Sequence, residues 1–176
     1  MSHATLRRRT ARVGLATVLL LIAAGSARAQ TPEVTRIDIE QYGIYDVGER
    51  IKTADPNAPG GRTEEPSEYR LTRQTTAVPA QSGTSFGLVY RVRGEPAGGE
   101  VTIREIVRFP PPGLYDPASG KSFASFEYDR VTKIGGGAFS TYGFDYDWEL
   151  VPGPWTFEYW YGDRKLAEQT FTVALP

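Results

Sequence analysis

The sequence contains no cysteine, and its one histidine and one methionine lie at its very start, as His3 and Met1. Without cysteine, no disulfide, thiol nucleophile or lipid-modified cysteine can form. Residues 30–176 also lack histidine, which is the most frequent general base and metal ligand. The composition argues against nucleophilic, redox and transition-metal enzymes, and we predict no cofactor, no metal site and no catalytic residue.

Long hydrophobic runs are also scarce. The one extended apolar stretch, Val13–Ala24, is shorter than the roughly 20 residues that span a membrane. It follows an arginine-rich segment (residues 7–12) and precedes Ala27-Arg28-Ala29, a small-x-small cleavage site. This order is typical of a secretory signal peptide, and we predict cleavage after Ala29, with Ala27 and Ala29 as the recognised small residues. An uncleaved anchor is the alternative.

Charge is distributed unevenly along the chain. Residues 1–29 hold five of the 20 Lys and Arg residues and none of the 21 Asp and Glu residues, which leaves residues 30–176 with 15 basic and 21 acidic side chains, a net charge of −6. An acidic domain repels phosphate backbones and anionic lipids. We expect no nucleic acid partner and no stable membrane insertion after removal of the leader. Residues 30–176 are predicted to form one domain, periplasmic or secreted.

Apolar and polar residues alternate from residue 33 onward, and clusters of Gly and Pro interrupt the alternation. The residues Phe86, Leu88, Tyr90 and Val92, for example, share one face of a predicted strand. The spacing predicts an all-β fold, an antiparallel sandwich of about seven to nine strands, with a small β-barrel as the alternative.

Two segments depart from this simple pattern. Ile106 and Val107 are adjacent apolar residues, so we expect either a β-bulge near Arg104-Glu105 or a strand that is covered on both faces. Residues 55–66 are rich in Pro, Gly and charge and are expected to form a long loop.

The C-terminal residues predict a β-hairpin, because two β-prone runs, 155–161 and 166–173, flank Gly162-Asp163-Arg164-Lys165. A three-residue loop places Trp155 opposite Phe171 and Tyr159 opposite Ala167. That register gathers one buried face: Trp155, Phe157, Tyr159, Phe171 and Val173. A two-residue loop would divide this set between the two faces, so the three-residue loop is favoured.

This hairpin also carries a resemblance. Residues 153–173 (GPWTFEYWYGDRKLAEQTFTV) resemble the end of a small family of bacterial exported domains of unknown function, and residues 39–45 (IEQYGIY) are similar to its opening segment. The same ending resembles immunoglobulin-like sandwiches in general, in which a Gly-x-Trp strand leads into the last hairpin. The resemblance implies an immunoglobulin-like sandwich, and it implies no catalytic or binding residues.

Three carboxylates, Asp145, Asp147 and Glu149, alternate with apolar residues and would lie on one face of a strand. We interpret them first as a solvated face, with a weak cation or basic-partner site and acid/base chemistry as alternatives. A carboxylate-dependent glycan hydrolase should place two acids from this segment, or Glu127 and Asp129, in one pocket, with one of them shielded from water.

The remaining candidates are a serine, a tryptophan and a group of arginines. Ser85 lies in a Gly-x-Ser-x-Gly motif, but no histidine base follows, so residues 83–85 are interpreted as a turn before a strand. Trp160 points away from the aromatic face of the hairpin and is the first candidate for contact with a ligand or partner. Arginines on two consecutive predicted strands (91 and 93, 104 and 108) would line a positive face if those strands pair.

These observations predict an exported, non-catalytic binding or accessory domain of the bacterial periplasm. Its partner would be a protein or polysaccharide of the cell envelope. The candidate binding residues are Trp160, Asp145, Asp147 and Glu149, and the alternative function is the carboxylate-dependent glycan hydrolase.

Overall fold

A computed structural model describes residues 30–176; the predicted signal peptide with Ala27 and Ala29 lies outside the described residues. The described chain forms two single-turn 3₁₀ helices, Pro59–Gly61 and Asp147–Glu149, and thirteen strands. The strands are β1 (Glu33–Val47), β2 (Arg50–Ala54), β3 (Arg62–Pro66), β4 (Tyr69–Arg73), β5 (Ala77–Pro79), β6 (Ser85–Glu95), β7 (Glu100–Arg108), β8 (Leu114–Asp116), β9 (Lys121–Phe123), β10 (Ser125–Lys133), β11 (Gly137–Gly143), β12 (Gly153–Tyr161) and β13 (Arg164–Ala174).

Nine of these strands form two sheets that face one another. One sheet has the order β11-β6-β1-β4 and the other has the order β10-β7-β12-β13-β5. All neighbours within them are antiparallel except β13 and β5. The hairpins β2–β3 and β8–β9 stand apart from both sheets. The predicted all-β sandwich is therefore confirmed, with two separate sheets rather than one closed one.

The core forms where the alternating residues of the two inner faces meet. The inward residues of β6 are fully buried, as the alternation predicted (Phe86, Leu88, Tyr90 and Val92). The Phe86 ring contacts Trp155 and Phe157 of the opposite sheet, with ring centroids 5.8 and 5.9 Å apart. Large rings thus fill the space between the sheets, and this packing supplies the core without disulfides.

Strand β7 answers the question raised by the adjacent residues Ile106 and Val107. It pairs with β10 without a register shift, so it has no bulge in its described length, and its outer face is buried at Ile106 but exposed at Thr102 and Arg108. Regular alternation then places Glu105, which is 1% exposed, on the core face between Ile103 and Val107. A carboxylate in such a position requires hydrogen-bonding partners from the surrounding strands.

The C-terminal hairpin has the predicted pairs, Trp155 with Phe171 and Tyr159 with Ala167, and the predicted aromatic face is buried. Its turn differs from the prediction. Tyr161 pairs with Arg164, so the loop has two residues, and a register shift between Tyr159 and Trp160 leaves Leu166 unpaired as a bulge. The bulge allows a short turn and the predicted buried face to coexist.

Two other expectations fail in part or in whole. Of residues 55–66, residues 55–61 form the connecting loop of hairpin β2–β3, with one 3₁₀ turn, whereas 62–66 form strand β3, so the loop is shorter than predicted. The arginines of β6 and β7 do not form one positive face, because these strands lie in different sheets. Arg91, Arg93 and Arg108 instead pair with Glu40, Asp38 and Glu158.

Among residues 30–176, no helix has the length and apolar character needed to cross a membrane. In the same range, no group of three or more His, Cys, Asp or Glu side chains is arranged to hold a metal ion.

Candidate functional site

A cleft of about 470 Å³ opens along one side of the sandwich, between the edge strands β10 and β11. The two strands are consecutive in the chain, yet each pairs only with its own sheet within the described structure. Phe126 and Tyr128 of β10 line one wall, and Thr141 and Tyr142 of β11 line the other. The cleft therefore reaches into the layer between the sheets.

Hairpin β2–β3 covers this cleft. Its connecting residues turn through Pro59, Gly60 and Gly61, and both glycines adopt positive φ (+70° and +71°). A side chain would strain this conformation. Ala58 is the one buried residue of the described hairpin segment 50–66. Lys121 Nζ donates to the carbonyl oxygen of Pro56 at 2.8 Å. Hairpin β2–β3 with its connection (residues 50–66), called the cover below, is thus attached to the rest of the domain mostly by polar contacts.

A cluster of charged side chains forms the contact between the cover and the segment that follows β11. Arg50 Nη1 lies 3.1 Å from Glu64 Oε2 and 2.7 Å from Asp145 Oδ1. Arg62 Nη1 donates to the Tyr146 hydroxyl at 2.6 Å. Burial disfavours the Glu64 carboxylate, but hydrogen bonds from Arg62 and Arg50 lower its pKa below the usual range. Glu64 therefore stays ionised between two guanidinium groups.

Beneath this cluster lies the buried carboxylate of Glu105. It accepts hydrogen bonds from the Tyr90 hydroxyl at 2.8 Å, the Tyr128 hydroxyl at 2.6 Å and Arg130 Nε at 2.5 Å. Arg130 also reaches Glu65 of the cover at 3.0 Å. Burial and the neighbouring Glu105 charge raise the pKa of both tyrosines, so the hydroxyls remain protonated donors. This network links the core to the cleft.

The acidic segment does not form the predicted strand. Phe144 enters the core and Asp147–Glu149 forms a 3₁₀ helix, so the three carboxylates do not share a face. Asp145 lines the cleft, Glu149 turns inward, and Asp147 is exposed. Apolar and acidic residues alternate in this segment as they would in a strand. In the structure, a turn buries Phe144 and half-buries Trp148 instead.

Glu149 is 5% exposed and lines the cleft. Burial raises the pKa of its carboxyl group, and hydrogen bonds oppose this shift. Its Oε1 accepts from the Tyr142 hydroxyl at 2.8 Å, and its Oε2 accepts from the backbone N–H groups of Asp145 and Tyr146 at 2.7 and 2.8 Å. The side chain closes the turn, since both oxygens are already engaged.

The location criterion for a hydrolase is met, because Asp145 and Glu149 line one cleft and Glu149 is shielded from water. The chemical criterion is not, because a general acid must present its proton to a substrate oxygen. Asp145 is bound to Arg50 and lies 3.6 Å from Arg62. Glu127 is exposed on β10, and Asp129 is exposed where β10 meets the cleft rim.

Ser85 also lies at the cleft and is 3% exposed. A turn at residues 82–83 precedes strand β6, as predicted in outline, but Ser85 is the first residue of the strand rather than part of the turn. The Ser85 hydroxyl oxygen accepts a hydrogen bond from Arg50 Nη2 at 2.9 Å. A guanidinium group is a donor only and cannot take the serine proton, so this contact is not that of an activated nucleophile.

Trp160 lies on β12 outside the cleft lining, and it is half-buried. Its indole N–H donates to Glu158 Oε2 at 3.0 Å. Arg104 and Lys165 lie over its ring at 5.4 and 5.9 Å from the centroid. The structure therefore brings Asp145 and Glu149 together and leaves Trp160 and Asp147 apart. A binding role for Trp160 stays a prediction.

Sequence reasoning missed the main cleft residues, above all Arg50, Arg62, Arg130 and Tyr128. Arg62 lies within residues 55–66, whose charge was taken as one sign of a loop, and Arg50 lies shortly before that segment. One signal was present: Glu105 sits at an apolar position of the β7 alternation, between Ile103 and Val107. A carboxylate at such a position indicates a buried polar network.

Comparison with known proteins gives a family and a fold. A family model described as a domain of unknown function (DUF3859) matches residues 33–173. An immunoglobulin-like protein from Pseudomonas aeruginosa has a similar structure, with a TM-score of 0.56 and 27% sequence identity, over 80% of this chain and 98% of that chain. A beta-D-glucoside glucohydrolase from Trichoderma reesei aligns with a TM-score of 0.35 and 12% identity, over 80% of this chain and 19% of that chain, which is too weak to use. The search of curated proteins found no match.

Proposed function

The chain belongs to the DUF3859 family and has an immunoglobulin-like fold, and from this premise we propose that it is a non-catalytic binding domain of the bacterial periplasm. Its ligand is a component of the cell envelope that enters the cleft beneath hairpin β2–β3. The leader-like pattern of residues 1–29 supports export. The fold by itself is compatible with many activities, so the proposal rests on the cleft.

The observation that carries the proposal is the cleft itself. Its volume of about 470 Å³ lies within the range of roughly 300–1,000 Å³ that is usual for small-ligand sites. Aromatic rings and polar side chains converge on it from β10, β11 and the cover. Charged and polar side chains make up more than half of the lining, and aromatic rings lie among them, so the cleft can hydrogen-bond a polar ligand and also contact its apolar surface.

The state of the polar groups supports binding over catalysis. Asp145 is paired with Arg50, Glu149 is closed into its turn, and Ser85 faces a guanidinium group. No described side chain of the cleft combines a free proton-transfer atom with a neighbouring nucleophile. Fixed, paired groups can still donate and accept hydrogen bonds to a ligand.

The test uses a matched pair of threonine substitutions. Thr63 lines the cleft on β3, and Thr102 is exposed on β7 away from it. Protein purified from cells that express the full sequence is immobilised, incubated with solubilised envelope, and washed. We expect the wild type and Thr102→Trp to retain the same envelope component, and Thr63→Trp to lose most of it because the indole fills the cleft.

Two outcomes contradict the proposal: no retained component at any salt concentration, or equal retention by Thr63→Trp. Trp160→Ala is included as a further variant. Loss of retention in Trp160→Ala with full retention in Thr63→Trp would move the site to the outer face of β12.

The glycan hydrolase is the second candidate, and it is favoured by the burial and raised pKa of Glu149 in the cleft wall. Its test is the release of reducing sugar from envelope polysaccharide. A hydrolase predicts that Glu149→Gln abolishes release while Asp147→Asn, an exposed neighbour, does not. The binding proposal predicts no release by the wild type or by either variant.

A further inference from the structure

On the basis of the proposed function, we infer that the cleft takes an uncharged, hydroxyl-rich ligand, namely one or two residues of a neutral glycan. Four properties of the cleft carry this inference: its charge balance, its free hydrogen-bonding positions, its aromatic faces and its size.

The ion pairs of the cleft disfavour a strongly ionic ligand. Each arginine of the cleft is already paired: Arg50 with Glu64 and Asp145, Arg62 with Glu64, and Arg130 with Glu105 and Glu65. An anionic ligand would have to displace one of these carboxylates and meet the others, and a basic ligand at the same carboxylates would have to displace a guanidinium group, so these pairs favour neither sign of charge. Asp55 and Asp129 also line the cleft without an arginine partner among residues 30–176, but both are in contact with solvent, where an ion pair contributes little.

The same pairs leave donors and acceptors interleaved at the cleft surface. A guanidinium group carries five N–H donors, and a carboxylate accepts at several positions. Asp145 Oδ1 accepts from Arg50, whereas its Oδ2 lies 3.6 Å from Arg62, too far for a good hydrogen bond. The Tyr146 hydroxyl accepts from Arg62 and keeps its own proton to donate. A sugar hydroxyl both donates and accepts, and so it matches such a mixed surface.

Two stacked aromatic pairs border the cleft. Phe126 and Tyr128 have centroids 5.6 Å apart at 25°, and Tyr146 and Trp148 have centroids 5.4 Å apart at 11°. Phe126, Tyr128 and Tyr146 line the cleft, and Arg130 and Arg62 lie over the two tyrosine rings at 5.5 and 5.4 Å from the centroids. The apolar C–H face of a sugar ring can pack against the accessible parts of these rings and the adjoining guanidinium groups, while its hydroxyl rim reaches the charged pairs.

Size separates a glycan from a folded protein partner. A specific protein interface buries about 800 Å² on each partner, usually on an open surface. A covered cleft of about 470 Å³ instead encloses a small group of atoms. One or two sugar residues of a longer chain fit this description, with the rest of the chain leaving past the exposed hairpin.

The experiment begins with the envelope component retained by the wild type and by Thr102→Trp. That component is hydrolysed to sugars, and a second portion is passed over an anion exchanger and a cation exchanger. We expect carbohydrate in the unretained, neutral fraction. Isothermal titration with this purified fraction should give a dissociation constant that changes less than about twofold between roughly 50 and 500 mM NaCl, because no ion pair forms on binding.

Tyr146 provides the matched variants for the aromatic face. Tyr146→Phe keeps the ring and removes the hydroxyl, whereas Tyr146→Ala removes both. We expect affinity to fall by about threefold to tenfold more in Tyr146→Ala than in Tyr146→Phe, in line with the contribution of an aromatic contact. Equal affinities of the two variants would show that the ring does not contact the ligand, and would overturn that step.

Three results would overturn the inference: the retained component is a protein, it is bound by either ion exchanger, or its affinity falls steeply with salt. The proposed function would still stand in these cases if Thr63→Trp abolishes retention. If neither the wild type nor Thr102→Trp retains anything, the proposed function itself fails.

Discussion

Replacing Glu105 with glutamine keeps the size of the side chain and removes its negative charge from the core. Glu105 is 1% exposed, and Arg130 Nε lies 2.5 Å from its Oε1. Removing one partner from a buried ion pair typically costs about 3–5 kcal/mol, because the other charge is left uncompensated. Arg130 is about one-fifth exposed and retains Glu65. We therefore expect the lower end, about 3 kcal/mol.

For a domain of this size, about 3 kcal/mol corresponds to a decrease of roughly 6–12 °C in Tm. Urea unfolding followed by tryptophan fluorescence measures the free energy directly. Glu127→Gln is the control, since Glu127 is an exposed carboxylate on the adjacent strand β10. The control should change stability by about 0.5 kcal/mol or less, as is usual for a surface substitution.

The double variant Glu105→Gln with Arg130→Gln tests the cause. If the cost comes from the uncompensated charge, the double variant should be more stable than the sum of the single losses implies, by about 2 kcal/mol. The tyrosine hydroxyls can still bond to the glutamine carbonyl. Additive losses, or a loss below about 1 kcal/mol for Glu105→Gln, would refute the reasoning.

Three further outcomes are expected. Burial raises the pKa of Tyr45 to about 12, and burial beside Glu105 raises that of Tyr90, so the unfolded chain releases these protons first as the pH rises. Urea unfolding should show stability falling above about pH 10, by roughly 1.4 kcal/mol per pH unit at most for each tyrosine, and constant stability would contradict the burial of these hydroxyls. Asp145→Asn removes an acceptor of Arg50. Amide hydrogen exchange should then become about 1.4- to 5-fold faster in hairpin β2–β3 and stay unchanged in β12–β13, and equal rates in the hairpin would show that this ion pair does not hold it closed. Gly43→Ala would drive a methyl group into the Arg73 carbonyl oxygen at a backbone position of positive φ. Thermal unfolding should reveal a loss of about 2 kcal/mol or more, and a neutral result would show that the β1–β4 contact at Gly43 is looser than described.

Much of the fold follows from local pattern. Alternation along β6 identified its buried face, and the aromatic spacing of β12 and β13 fixed the register of the last hairpin. The turn of that hairpin was wrong by one residue because a bulge at Leu166 absorbs the difference. Bulges are set by how the strand packs, and the sequence pattern does not display them.

The cleft could not be predicted in this way, because its contacts join distant parts of the chain. Arg50 meets Asp145 across 95 residues, and Arg130 meets Glu65 across 65 residues. Nothing in the local sequence of hairpin β2–β3 indicates which side of the sandwich it covers. The acidic segment shows the opposite difficulty: residues 144–150 alternate as a strand would, and Phe144 and Glu149 are nevertheless buried within a turn.

Hairpin β2–β3 has a consequence for how such a domain can diversify. Of its described residues 50–66, only Ala58 is buried, so the hydrophobic core gains little from the hairpin and loses little when its sequence changes. Under the proposed function, mutations there would alter which molecules the cleft admits while the nine-strand scaffold keeps most of its stability. Selection for a new ligand would then act mainly on positions outside the hydrophobic core. Relatives that share this scaffold would be expected to differ in specificity through this one short segment.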